Sequence, residues 1–316
     1  MYGGEPHQMD YDSLNMMVWE YKAAFDAFKE IFYDMEVQWH NDVYPAIDYK
    51  NPSLRHEGQT VVITGAGSGI AREAAAAFAT AGAKRLVLVG RTEAKLQQAA
   101  SDLAQSHPAV EVQHAVADVA DAAAVRSLAA SLEAWDVLVQ GAGYINSLAP
   151  AAQAGVDDYW KAYEINVKSF VLLVKALLPK AAPGAGVLAL VGGSLVFPTS
   201  MLVGLSGYLV SKMALAKTIE FLALENPNVF FAAVHPGMVD TDIFRRSGAT
   251  PDMLAMDTSK LFAGFSLWLM SPEAKFLSGR FVWANWDVEE LKQKKEEITS
   301  STKLTFNLEG FPFASS

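Results

Sequence analysis

The chain has 316 residues, no cysteine, 51% hydrophobic and 11% aromatic residues, and a formal charge of −10 from 35 acids against 25 bases. Such a composition describes a soluble globular protein with a substantial core, and the missing thiols exclude disulfide scaffolds, thiolate metal sites and cysteine nucleophiles. An acidic balance without any block of Lys and Arg also excludes a nucleic-acid binder that neutralises phosphates over a broad basic surface.

The N-terminus, Met1-Tyr2-Gly3-Gly4-Glu5-Pro6, has neither the basic n-region nor the apolar h-region of a secretory signal. The most apolar windows, 169–178 and 187–197, are broken by Lys175 and by Gly192-Gly193. Both fall short of the roughly 18 residues of a membrane span, so a cytoplasmic protein with no membrane span is expected. Residues 1–57 hold eleven acids, four bases and eleven of the 34 aromatics, a net −7 that leaves only −3 for the rest of the chain. Within them Leu14, Met17, Val18, Tyr21, Phe25, Phe28, Phe32 and Met35 follow at steps of three or four, which predicts an amphipathic helix over 13–36. Its apolar stripe needs cover, from its own domain or a neighbouring subunit on one reading, from a membrane surface or a regulatory contact on another; the acidic polar face speaks against the membrane. His40 to Pro52 reads as an extended connector, because Pro45 and Pro52 block helix. Residues 1–57 are therefore expected to be a helical arm and connector.

From Thr60 the texture changes to β-branched runs alternating with Ala-rich stretches. Strands are predicted near 60–64, 85–90, 111–116, 136–141, 186–192, 229–234 and 279–284, and helices over 69–81, 93–106, 121–133, 157–180 and 208–225. Seven nearly continuous apolar strands imply an α/β parallel sheet covered on both faces. Beyond Asp287, residues 287–316 read as a helix and polar tail, with Asp287 and Glu290 as a reciprocal N-terminal cap.

The motifs lie at the ends of these strands. The first strand runs into Thr64-Gly65-Ala66-Gly67-Ser68-Gly69-Ile70-Ala71 and directly into a helix. Glycines there let backbone approach a pyrophosphate, whose charge is favoured by the free N–H groups of the helix. The second strand ends in Val89-Gly90-Arg91, where a carboxylate would bind the adenosine 2′-hydroxyl of NAD and a guanidinium suits the extra phosphate of NADP. Arg91 thus favours NADP over NAD, a solvated surface arginine being the alternative. Asp118-Val119 and Gly141-Ala142-Gly143 end the third and fourth strands on the same carboxyl edge, where ligands bind in such sheets. Asn166 and Ser194 follow, and then Tyr208 and Lys212, four apart on one helix face. A buried ammonium beside the phenol is expected to lower its pKa and make it a usable acid and base.

The ordered set of glycine turn, Asp118, Asn166, Ser194, Tyr208, Lys212 and Pro236-Gly237-Met238-Val239-Asp240-Thr241 resembles the short-chain dehydrogenase/reductase family over residues 58–286. The resemblance implies a Rossmann-like doubly wound seven-stranded parallel sheet with helices on both faces, binding NADP or, alternatively, NAD. Cofactor contacts are then expected from Gly65, Gly67, Ser68, Gly69, Ile70, Arg91, Asp118, Val119, Ala142, Gly143, Asn166, Tyr208, Lys212, Pro236 and Gly237, with Val239 and Thr241 on the nicotinamide carboxamide. The resemblance further implies that Tyr208 exchanges a proton with the reacting oxygen and that Lys212 binds the nicotinamide ribose. Ser194 would orient the carbonyl and Asn166 support a proton-relay water. It also implies a homo-oligomer. Three departures stand out: Ala71 replaces a third glycine, Gln140-Gly141 replaces Asn-Asn, and Ser194 precedes Tyr208 by 14 positions, one more than usual. Losing an asparagine after the fourth strand is expected to weaken support of the central strands. The N-terminal arm and the ending from Gly279 to Asp287 are similar to a fungal subgroup often encoded with biosynthetic enzymes.

The substrate pocket is expected between 195–205 and a lid at about 242–270, including Phe197, Met201, Leu202, Met253, Leu254, Met256 and Phe262. This apolar, Met-containing wall suits a bulky neutral ketone or alcohol. Arg245-Arg246 read as a solvated loop pair, with an acidic substrate group as the alternative, and His235 as structural. The leading expectation is an oxidoreductase interconverting a ketone and a secondary alcohol. A non-redox isomerase, dehydratase or cyclase on the same fold, and a catalytically idle nucleotide-binding scaffold, are the alternatives.

Overall fold

In the computed structural model, which describes residues 37–252 and 255–308, the apolar runs of the body form one parallel sheet of order β3-β2-β1-β4-β5-β6-β7. Its strands are β1 Thr60–Thr64, β2 Arg85–Gly90, β3 Glu111–Val116, β4 Trp135–Gln140, β5 Ala181–Leu190, β6 Phe230–His235 and β7 Arg280–Trp283. Every residue of β6 is buried, as a strand covered on both faces requires. The edge strand β3 instead exposes Glu111, Gln113 and His114, polar groups that discourage pairing with another chain.

The connecting helices are α1 Gly69–Thr80, α2 Glu93–Ser106, α3 Ala122–Ser131, α4 Val156–Tyr163, α5 Ser169–Leu177, α6 Ser206–Glu225, α7 Asp242–Arg246, α8 Ser259–Leu269, α9 Val288–Gln293 and α10 Lys295–Thr299. The fold is thus the expected Rossmann-like doubly wound α/β architecture. The chain runs outward from β1 to β3 and then returns to lay β4 on the other side of β1, so a crevice opens between the carboxyl ends of β1 and β4.

Two departures from the family pattern meet in that crevice and offset each other. A Cβ on Gly141 would lie 2.7 Å from both the Ala71 methyl and the Thr64 carbonyl oxygen, so the methyl at 71 occupies volume that a side chain at 141 would need. The ends of β1 and β4 are tied by the Ala142 amide, which donates to Thr64 Oγ1 at 3.1 Å, while Gln140 Nε2 closes its own turn by donating to the Ala142 carbonyl at 2.8 Å.

The helix expected over 157–180 is interrupted. Between α4 and α5 the chain makes a π turn, Glu164–Lys168, in which the Ser169 amide reaches back to the Glu164 carbonyl. One residue is inserted without altering the apolar stripe, so periodicity does not reveal it. The connector also differs from an extended chain. Pro45–Ile47 and Pro52–Leu54 are 3₁₀ turns, each with proline in first position, where no amide is needed. Ile47 is fully buried against Gly264 of α8, where a Cβ would come within 2.2 Å of the Ile47 carbonyl oxygen. Residues 38–40 form a strap beside the end of β7, with the His40 amide donating to the Asn285 carbonyl at 2.7 Å and the Asp287 amide to the Gln38 carbonyl at 3.0 Å.

Asp287 caps α9 by accepting from the Glu289 and Glu290 amides at 2.9 and 3.1 Å. The reciprocal half of that cap does not form, because the Glu290 carboxylate accepts instead from the Gln38 amide of the strap. The expected helix over 13–36, Met253 and Leu254, and the end of the tail from 309 lie outside the described residues.

Candidate active site

The carboxyl edge of the sheet opens into a cleft of about 800 Å³. At one end stands the N-terminus of α1. Its cap residue Ser68 makes no side-chain capping bond, so the first amides of a twelve-residue helix remain available to an anion. Gly65 has φ +73° and Gly69 φ +60°, and a Cβ on Gly65 would lie 2.9 Å from backbone atoms of Gly141 and Ala142. This close-approach turn therefore accepts glycine and little else. Gly67, Ser68 and Ile70 line the same wall, and the donor set suits a pyrophosphate.

Arg91 leaves the end of β2 into the mouth of the cleft, with Lys95 of α2 beside it. Sequence reasoning missed Lys95, whose signal is its place one turn into the helix after Arg91. Both are exposed, and among the described residues neither makes an ion pair. Asp118, Val119, Ala142 and Gly143 line the next stretch of wall; Asp118 Oδ1 also accepts from the Ala120 amide at 2.9 Å. Pro236, Gly237, Val239 and Thr241 close the cleft from the end of β6. Thr241 caps α7 by accepting from the Phe244 amide at 3.2 Å.

At the other end, Tyr208 and Lys212 sit one turn apart on α6. Lys212 is buried and donates from Nζ to the Leu190 carbonyl at 2.7 Å, with Nζ 6.0 Å from the centre of the Tyr208 ring. The apolar surroundings push the Tyr208 phenol up to about 12 and the Lys212 ammonium down to about 8. The expectation that the ammonium lowers the phenol's pKa is therefore not met, since Lys212 is engaged with Leu190 and desolvation of the ring decides the direction. Tyr208 holds its proton at neutral pH.

Ser194 lies in the 3₁₀ turn Gly193–Val196 directly after Gly192. A Cβ on Gly192 would stand 3.5 Å from Ser194 Oγ and 3.9 Å from Tyr208 Oη, so the two hydroxyls border one small space. His235 fixes this turn, its Nδ1 accepting from the Gly193 amide at 2.8 Å while its ring packs edge-on against Trp283. Asn166, in the π turn, is fully buried and does not reach the cleft wall. Its Oδ1 accepts from the Tyr144 amide at 2.9 Å, and its Nδ2 donates to the Tyr144 carbonyl at 2.8 Å and to Ser211 Oγ at 2.9 Å. The side chain thereby ties the loop after β4 to α6.

Burial holds His235 neutral, pushing its pKa down to about 3. Its unfolded value is about 6.5, so between pH 6.5 and 3 the unfolded chain takes up a proton that the folded one refuses. Stability from this group is complete above pH 6.5 and is lost as the pH falls, by up to about 1.4 kcal/mol per pH unit. His56 is shifted downward by burial too and adds to the same trend. The urea midpoint is expected to drop between pH 7 and pH 5; an unchanged midpoint contradicts the buried neutral imidazole of His235.

Phe197, Leu202, Val203, Ile243 and Phe244 also line the cleft, joined by Tyr144, Ile145 and Leu148 from the loop after β4. Topology identifies that loop, on the carboxyl edge next to Gly143, although composition does not mark it. Met201 and Met256 lie off the wall, and Phe262 is fully buried in α8. The second half of the expected lid is thus core, because α8 fills the space between α1 and the connector. Arg245 is neutralised by Asp240 through two bonds of 2.7 Å. Arg246 donates to the Ile145 carbonyl at 3.0 Å and lies 5.2 Å from the centre of the Tyr144 ring.

Among the described residues, no helix is long and apolar enough to cross a membrane and no cluster of acids and histidines suits a metal ion. The pattern of the short chain dehydrogenase family matches residues 59–252. Short chain dehydrogenase mpl6 of Monascus purpureus is 34% identical over 282 residues, covering 85% of this chain and 94% of the relative. Short chain dehydrogenase andI of Emericella variicolor is 32% identical over 286 residues, covering 86% and 96%. Among solved structures, L-sorbose reductase from Gluconobacter frateurii, complexed with NADPH and L-sorbose, matches with a TM-score of 0.65 at 25% identity, over 75% of this chain and 98% of that one. An oxidoreductase from E. coli gives 0.67 at 23% identity, over 74% and 97%. The chain belongs to the short-chain dehydrogenase/reductase family. It is an oxidoreductase of that class, and its relatives here are fungal.

Proposed function

We propose that this protein is an NADP(H)-dependent enzyme that interconverts a ketone and a secondary alcohol on a bulky apolar secondary metabolite, with Tyr208 as general acid and base. The observation that carries the reading is the pair of hydroxyls, Tyr208 Oη and Ser194 Oγ, bordering one space beside Gly192 with the Lys212 ammonium behind them. A nicotinamide held in the cleft would supply the hydride to the carbon or accept it from the alcohol. A carbonyl oxygen placed between the two hydroxyls accepts a hydrogen bond from each, and Tyr208 gives up its proton as charge develops on that oxygen. Lys212 keeps a positive charge near the resulting phenolate and would bind the ribose, while Asn166 holds the Tyr144 backbone against α6. In oxidation the proton moves the other way. Gly65, Gly67, Ser68, Gly69 and Ile70 would hold the pyrophosphate, Asp118 and Val119 the adenine side, and Val239 and Thr241 the carboxamide. NAD(H) is the alternative cofactor.

The apolar wall around Phe197, Leu202 and Phe244 favours a substrate without charge. A cytoplasmic homo-oligomer belongs to the same reading, supported by exposed Trp160 on α4 and by Phe221 and Leu224 on α6, 58%, 58% and 82% accessible; a monomer mass by light scattering removes that part. Fluorescence titration with NADPH and NADH, followed by a panel of bulky ketones with the preferred one, tests the whole. Tighter binding of NADPH and its consumption with an apolar ketone are expected; binding of neither nucleotide overturns the proposal.

A further inference from the structure

The loop Pro236–Thr241 closes the nicotinamide end of the cleft, and its central bend is braced from behind by a group outside the site. Asp257 is buried, 8% exposed. Its Oδ2 accepts from the Met238 amide at 2.6 Å and its own amide donates to the Met238 carbonyl at 2.8 Å. Gly237 stands directly over this carboxylate at φ +91°, where a Cβ would come within 2.7 Å of Oδ2. The other carboxylate oxygen, Oδ1, accepts from Asn41 Nδ2 at 2.5 Å. Asn41 directly follows the strap at 38–40, and this stretch of chain is anchored independently. The His40 amide and carbonyl bond the Asn285 carbonyl and Nδ2, and the Thr258 amide donates to the Asn41 carbonyl at 3.0 Å. A chain of two short bonds to one carboxylate therefore links residues far outside the glycine turn to the backbone beside the nicotinamide position.

We infer that Asn41 and Asp257 are positioning residues for the cofactor, setting the Gly237–Val239 backbone so that the nicotinamide half binds in register with Tyr208. The inference rests on the proposed nicotinamide chemistry, and it assigns the segment before β1 a part in the cofactor site. The chemistry of the pair makes a reciprocal test available. In Asn41→Asp, two carboxylates face each other with no donor between them, and the bond is lost. The double variant Asn41→Asp with Asp257→Asn exchanges the two groups. The carboxylate then at position 41 accepts from the side-chain amide nitrogen at position 257, while the amide oxygen there still accepts from the Met238 amide. Both bonds return, the first in reversed polarity.

The measurement is fluorescence titration of the 316-residue chain and its variants with NADPH and with 2′,5′-ADP, which lacks the nicotinamide half. Asn41→Asp is expected to bind NADPH about tenfold more weakly, the loss of roughly one charge-assisted hydrogen bond, with affinity for 2′,5′-ADP unchanged. The double variant is expected to recover to within about threefold of the original, the scatter of such comparisons being a few tenths of a kcal/mol. Asn41→Ala, which removes the donor without adding charge, makes the same comparison if Asn41→Asp fails to fold. Equal loss for both ligands, no loss for either, or a double variant as weak as the single one overturns the relay while leaving the proposed chemistry standing. An unsubstituted chain that binds neither NADPH nor NADH overturns the proposed chemistry and the relay with it.

Discussion

Replacing Tyr208 by phenylalanine is expected to lower kcat for ketone reduction about 10³-fold, the middle of the range for removing a positioned general acid. The cost falls on the chemistry alone. Among the described residues Oη has no hydrogen-bond partner, so its deletion breaks no structural bond, and the ring that packs against the cleft remains. NADPH affinity and thermal midpoint should both stay close to those of the original chain. The direction of the phenol's shift matters here. With its pKa pushed up to about 12, Tyr208 is fully protonated at neutral pH, the form in which the proposed reduction needs it. Steady-state rates of the variant with the best ketone of the panel, beside its NADPH titration, make the check. Turnover within tenfold of the original would take the proton-transfer role away from Tyr208.

The second large effect is expected at the other end of the cleft. Arg91 and Lys95 are exposed cations at the mouth of the cleft, where the proposed binding mode would put the adenosine ribose, and no carboxylate stands at the end of β2. A 2′-phosphate placed there meets a guanidinium able to bind two of its oxygens and an ammonium one turn along α2. Changing both to alanine is expected to weaken NADPH binding on the order of 30- to 100-fold and to leave NADH within about threefold, the loss shrinking as salt is raised because both groups are solvated. Equal weakening of the two nucleotides would mean that the cations steer any anion into the cleft and do not select the phosphate. An unchanged NADPH affinity would leave both as surface charges.

Much of this is legible before any coordinates. The strand-end positions follow from runs such as Thr60–Thr64 and Arg85–Gly90, because a sheet buried on both faces writes continuous apolar stretches, and Gly65 and Gly69 mark the turn where backbone must come close. Tyr208 and Lys212 share a helix face by spacing alone. What escapes is set by contacts between residues distant in the chain. Phe262 and Phe244 are equally apolar, yet one is core and the other cleft wall; only the placement of α8 against the connector separates them. The π turn at 164–168 adds a residue without disturbing the helical stripe. The direction of the Tyr208 shift depends on where Lys212 Nζ points, and it points to Leu190. The connector reads as extended because proline blocks helix, but proline at the first position of a 3₁₀ turn serves just as well. Asn41 carries no motif at all, and only its partner Asp257 gives it meaning.

The central claim is that this cleft moves a hydride as well as a proton. Turnover of the preferred ketone with NADPH deuterated at nicotinamide C4, on the transferred face, measures that directly when product is analysed by mass and by NMR and the consumption of NADPH is followed alongside. One deuterium at the new carbinol carbon for each NADPH consumed is the predicted result. Product that forms with no label and no loss of NADPH would contradict the account, and would leave an isomerase, dehydratase or cyclase working on the same fold.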